Sequence, residues 1–131
     1  MIEVESLARA AVLAHKHYNA TEVGQLLNGP DTNLRSRASQ LRKSGDIVGV
    51  ATGAQAWVYP AFQFDHRGAR VRPIVKEVNQ QLDAAHDGWG VASWWLTPSH
   101  RFKGEPRSPA DLAVDGDDDT IRRLAADLVE D

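Results

Sequence analysis

Residues 21–45 read TEVGQLLNGPDTNLRSRASQLRKSG. Thr21 is suited to cap a short helix over 21–27, with Val23, Leu26 and Leu27 as its apolar side. Asn28-Gly29-Pro30 ends that helix, because glycine tolerates positive φ and proline cannot continue the turn. Asp31 or Thr32 then caps a further helix to about Lys43, and Ser44-Gly45 stops it. Leu34, Ala38 and Leu41 lie at i, i+4 and i+7, which makes one buried stripe. Two short helices joined by a tight glycine turn are the physical form of a helix-turn-helix unit. With the stripe buried, Asn33, Ser36, Arg37, Gln40 and Lys43 face outward, flanked by Arg35. Arginine reaches guanine edges, asparagine and glutamine reach adenine, and serine and lysine reach phosphates. Thr32 and Arg42 complete the candidate DNA-contacting set on this helix.

Upstream, residues 3–18 read as a helix, with Val4, Leu7, Ala11 and Tyr18 near one face. Downstream, residues 47–51 and 55–59 are β-prone runs separated by Thr52-Gly53-Ala54, which predicts a hairpin, the wing of a winged unit. Pro60 closes the hairpin, and Phe62 and Phe64 alternate as an extended segment. Asp65-His66-Arg67-Gly68 reads as a turn linking two parts. Pro73 opens a helix whose stripe is Ile74, Val75, Val78 and Leu82, ending near Ala85. Trp89 to Leu96 is apolar enough for a buried helix, and adjacent Trp94 and Trp95 point about 100° apart, so one of them is free to face a partner. Residues 99–107 read as loop. Ser108-Pro109 caps and opens a short helix with Leu112. Thr120 to Val129 reads as a last helix, with Ile121, Leu124, Ala125 and Leu128 on one side.

The chain has 131 residues and a formal charge of -3, which as a total argues against nucleic acid. The total conceals two halves. Residues 1–76 hold ten Lys/Arg and six Asp/Glu, a balance of +4; residues 77–131 hold five and twelve, a balance of -7. Such asymmetry predicts two kinds of partner. The basic excess clusters at 33–43 and again at 67–76, where Arg67 and Arg70 extend the candidate DNA surface.

Several chemistries find no support. Without cysteine there is no disulfide, thiolate metal site or cysteine nucleophile. No GxSxG, P-loop, GxGxxG or metal triad is present, so neither an enzyme nor a cofactor is expected. Asp115-Gly116-Asp117-Asp118-Asp119 resembles a calcium loop only superficially. Thr120 stands where glycine is required and Ala126 where the bidentate glutamate belongs. Capping the last helix is the better reading of these aspartates. His15 and His17 are read as surface residues on different helix faces. The apolar run at 10–14 is far short of the roughly 20 residues that span a bilayer, and the start lacks a basic region. A cytoplasmic protein away from membranes is the expectation.

The second half resembles the toxin-binding region of Xre/MbcA/ParS-like antitoxins. The residues that carry the resemblance are Trp94-Trp95-Leu96-Thr97-Pro98-Ser99, Pro109-Ala110-Asp111-Leu112, Asp115-Gly116 and the helix from Thr120. Ser99 stands where that family usually has asparagine. The N-terminal part is similar to winged helix-turn-helix modules of the excisionase or MerR type. The resemblance implies an autoregulating antitoxin that binds operator DNA through its basic half. Its acidic half would then obstruct a RES-domain toxin, an NAD-degrading enzyme, through Trp94, Trp95, Arg101, Pro109, Asp111, Leu112, Arg122 and Asp131. The expected fold is mainly α with a small β-hairpin: a winged helix-turn-helix over 1–65, then a small helical domain over 66–131. A homodimer on duplex DNA is compatible with this. Rival readings are a stand-alone or phage-type repressor, and a protein-interaction module whose basic patches are incidental. A neighbouring reading frame for a RES-type toxin would separate the first reading from the second.

Overall fold

A computed structural model describes residues 4–29, 33–53, 56–99 and 105–129. The order of elements is α1 (Val4–Leu13), β1 (His17–Asn19), α2 (Ala20–Leu26), α3 (Leu34–Ser44), β2 (Val50–Ala51) and β3 (Trp57–Pro60). After a 3-10 turn at Ala61–Gln63 come β4 (Phe64–Asp65), β5 (Arg70–Val71), α4 (Pro73–Gln81), α5 (Gly88–Leu96), α6 (Pro109–Asp115) and α7 (Asp118–Val129). The chain is mainly helical, as expected, but carries two small antiparallel sheets among the described residues where one hairpin was expected.

The first sheet has three strands, not the two of the expected hairpin. β3 is central, with β2 on one side and β1 on the other. The helix expected to reach Tyr18 stops at Leu13, and Tyr18 pairs with Tyr59 in β3. A helical Tyr18 would have left one edge of β3 unpaired. His15 and His17 therefore lie beyond the helix, both exposed, and the His17 ring bonds the His15 carbonyl. The face read for α1 is also corrected: Leu7 and Ala11 are exposed, and Val12 is the buried residue.

α2 is capped by Asn19 rather than Thr21. The Asn19 side chain accepts from Glu22 N–H, and Glu22 accepts from Asn19 N–H. α3 ends at Ser44–Gly45 as expected, with Ala38 and Leu41 buried. Its first cap candidates, Asp31 and Thr32, lie outside the described residues. Asn33 holds the N-cap position without a side-chain cap bond.

The first sheet and the segment 47–49 that leads into it lie between two cores, and successive residues alternate between them. Ile47 and Tyr59 join Val23, Ala38, Leu41 and Phe64, with Trp57 packed against that group. Val48 and Val50 join Val12, Ile74, Val75, Val78, Val91, Ala92, Trp95, Leu112 and Ile121, with Val58 packed against them. The larger core thus draws on residues from both sides of position 65. A buried polar set ties the two sides together. Gln63 pairs with both N–H and C=O of Val48, Asn79 donates to Gln63, and Trp95 Nε1 donates to Asn79 Oδ1 at 2.8 Å.

Residues 65–69 turn β4 into β5 instead of linking two parts, and Tyr18 bonds His66 across to this second hairpin. α4 ends at Gln81, four residues earlier than expected, and Asp83 takes positive φ in the turn that follows. Ser108 caps α6 in a full capping box with Asp111. α7 begins two residues before the expected Thr120, and Asp117 bonds both the Thr120 N–H and its hydroxyl.

Candidate nucleic-acid interface

α2 and α3 meet where Gly24 lies against Leu34. A Cβ at Gly24 would come within 2.3 Å of the Leu34 carbonyl oxygen, so only glycine permits this approach. Burial of Ala38 and Leu41 fixes the rotation of α3 about its axis. The opposite face then carries Asn33, Ser36, Arg37, Gln40 and Lys43, with Arg35 beside them, and all six are exposed. Their spacing of three and four residues places them in one strip along the helix.

What marks this strip is its lack of acids. Among the described residues Lys16, Arg67, Arg72 and Arg123 also have no carboxylate partner, while other cations are paired. Arg70 pairs with Asp65, Lys76 with Asp46, Arg107 with Asp115, and Arg122 with Glu77 and Asp119. Among the described residues, Arg35, Arg37, Arg42 and Lys43 have no carboxylate partner, and no acid occurs between residues 33 and 43. Arg42 and Lys43 occupy the last turn of α3, where the helix dipole favours cations. β2 and β3 project beside α3, with residues 54 and 55 of their connection outside the described residues.

Six of the ten expected DNA contacts therefore share one exposed strip. Arg42 departs from it: its guanidinium lies over Trp57, 3.7 Å from the ring centroid. Arg67 and Arg70 sit on the β4–β5 hairpin, apart from α3 in the chain order, and Arg70 is held by Asp65. The Asp65 carboxyl is lowered from its ordinary value first by the Gly68 N–H, then by Arg70 and the Arg67 N–H. Thr32 lies outside the described residues. Reading the sequence missed Ser39, Trp57 and Asn19, which line a cleft between α3 and β3. An aromatic in the second strand of a hairpin beside a basic helix was the available signal for Trp57.

The expected partner surface on the second half is corrected at three of its eight residues. Trp95 is fully buried, and Pro109 and Leu112 are also core residues. Arg122 makes a two-point ion pair with Glu77, which holds that carboxyl below its ordinary value. Asp111 is exposed but serves the α6 capping box. Trp94 is half-buried, lining an open groove with Leu82, Leu124 and Leu128. Arg101 and Asp131 lie outside the described residues. No group of three or more His, Asp or Glu is placed to hold a metal among the described residues. No helix among them is long and apolar enough to cross a membrane.

Comparison with protein-family models and with curated proteins gives no match. Among solved structures, the chain is similar to the NMR structure of Rv2175c, with a TM-score of 0.64 and 21% sequence identity. The likeness covers 86% of this chain and 80% of that one. At that identity it speaks to the fold alone: a mainly helical chain with small antiparallel sheets.

Proposed function

We propose that this protein is a DNA-binding transcriptional regulator of the winged helix-turn-helix kind. In this reading α3 enters the major groove, α2 braces it, and the β2–β3 hairpin is the wing. The element order α1–β1–α2–α3–β2–β3, with β1 closing the sheet, supports it. The observation that carries it is the exposed strip of α3, where cations without carboxylate partners alternate with Asn33, Ser36 and Gln40. A merely solvated face on a chain with eighteen acids would be expected to mix both signs, as α7 does.

The reading stops at DNA. The antitoxin role drew on eight residues: Trp95, Pro109 and Leu112 are buried, Arg122 is in an internal ion pair, Trp94 and Asp111 reach the surface, and Arg101 and Asp131 lie outside the described residues.

The test is affinity for duplex DNA from the gene's own promoter, measured against salt. Binding should weaken steeply as salt rises, because phosphate contacts release counterions. Arg35→Ala/Arg37→Ala/Lys43→Ala should abolish most of that binding and leave thermal stability nearly unchanged, since all three side chains are exposed. Operator binding that survives the triple substitution would remove α3 from the interface.

A further inference from the structure

The cleft between α3 and β3 measures about 480 Å³, and its walls include Thr21, Arg35, Ser36, Ser39, Arg42 and Trp57. No carboxylate lines it among the described residues. Arg42 is held in an unusual state there. Its guanidinium stacks on Trp57, and its Nε is buried with no hydrogen-bond partner. Gly49 makes room for this arrangement: a Cβ there would come within 2.9 Å of Arg42 Cδ and 2.7 Å of the Tyr59 ring. Among the described residues no acceptor or carboxylate meets the Arg42 guanidinium, so its charge is left unneutralised at the cleft. A cation so placed, beside hydroxyl donors, is suited to an anion met by its terminal nitrogens.

We propose that this cleft seats one phosphodiester of the DNA backbone between the α3 helix and the β2–β3 wing. The proposal rests on the DNA-binding reading above and adds to it a contact that sets position rather than reading bases. Arg42 and Arg35 supply charge, and the hydroxyls of Thr21, Ser36 and Ser39 supply further donors. The Trp57 ring fixes the plane of the Arg42 fork, so a lysine cannot replace it fully. Because its walls come from both α3 and β3, a phosphate held there also fixes the wing against the backbone.

The experiment compares wild type, Arg42→Gln and Arg42→Lys for binding to a short random-sequence duplex, from about 50 to 200 mM salt. Arg42→Gln is expected to weaken binding about tenfold near 0.1 M salt, and to make the log–log salt slope shallower by about 0.9. Arg42→Lys should recover the slope but not the full affinity, and it guards against misfolding in the glutamine variant. In parallel, the Trp57 indole N–H signal is followed while inorganic phosphate alone is added. If wild type binds the duplex and both variants match it in affinity and slope, the cleft proposal is wrong and the DNA reading stands. If wild type binds no duplex, the DNA reading fails and the cleft proposal falls with it. If phosphate shifts Trp57 while duplex affinity ignores Arg42, the cleft belongs to a free anion, which also overturns the proposal.

Discussion

At Gly24 two opposing effects can be weighed. Replacing a helical glycine by alanine ordinarily stabilises by up to about 1 kcal/mol, because less backbone entropy is lost on folding. Here the added methyl would meet the Leu34 carbonyl oxygen at 2.3 Å and its Cα at 2.7 Å. Those are backbone atoms at the start of α3, which no rotamer change can move aside. Overpacking of this kind costs about 1–3 kcal/mol, so it outweighs the helix preference. Gly24→Ala is therefore expected to be net destabilising by urea unfolding and to weaken the proposed DNA binding as α3 shifts. A stability gain would mean that the two helices do not approach as closely as described. The glycine is visible in the sequence. Its necessity is not, because the clash involves a residue ten positions away.

Among elements, legibility followed punctuation and periodicity. α3 and α6 were readable because each carries an apolar stripe and punctuation at its ends: Gly45 after one, Ser108-Pro109 before the other. β1 was not, because three residues hold no periodicity, and Tyr18 also fits the end of a helical pattern. Strict alternation through Phe62 and Phe64 would expose Gln63, yet a 3-10 turn puts it fully inside, bonded to Val48. The candidate strip on α3 was legible for the same reason as α3 itself. The Arg42–Trp57 stack was not, since it depends on how the β2–β3 hairpin lies against the helix. The docking of α7 on α4 also escaped the sequence, because Arg122 and Glu77 are 45 residues apart. That pair makes an element-scale prediction. Arg122 holds the Glu77 carboxyl below its ordinary value of 4.5. A depressed carboxylate contributes stability that is fully present above the unfolded value and is lost as pH falls through the folded one. Both side chains are about half exposed, so the contribution is small. Arg122→Ala is expected to lower the melting temperature slightly at pH 7, and the difference from wild type should vanish in acid below the Glu77 titration. A difference that persists unchanged there would show that Arg122 acts through packing instead.

For the whole molecule, the net charge of -3 is the remainder of two unlike surfaces, a basic strip on α3 and an acidic second half. What joins them is the first sheet, whose alternate residues enter different cores, and the chain of polar groups from Val48 through Gln63 and Asn79 to Trp95. Every link of that chain is buried, so breaking one leaves an unsatisfied group inside. Trp95→Phe removes the donor at 2.8 Å from Asn79 Oδ1 and keeps most of the ring packing against Phe62. The orphaned oxygen should cost about 1–3 kcal/mol. Because Asn79 also supports the Gln63–Val48 contact, the loss is expected to reach both cores. Near-ultraviolet signals from Trp57 and Tyr59 and the far-ultraviolet helix signal should therefore move to lower temperature together, as one cooperative transition. Two separated transitions, with the Trp57 side unmoved, would show that the helices that present α3 fold independently of α4 to α7. In that case the polar chain would be a local feature of the larger core, and changes in the acidic half would leave the proposed DNA binding untouched.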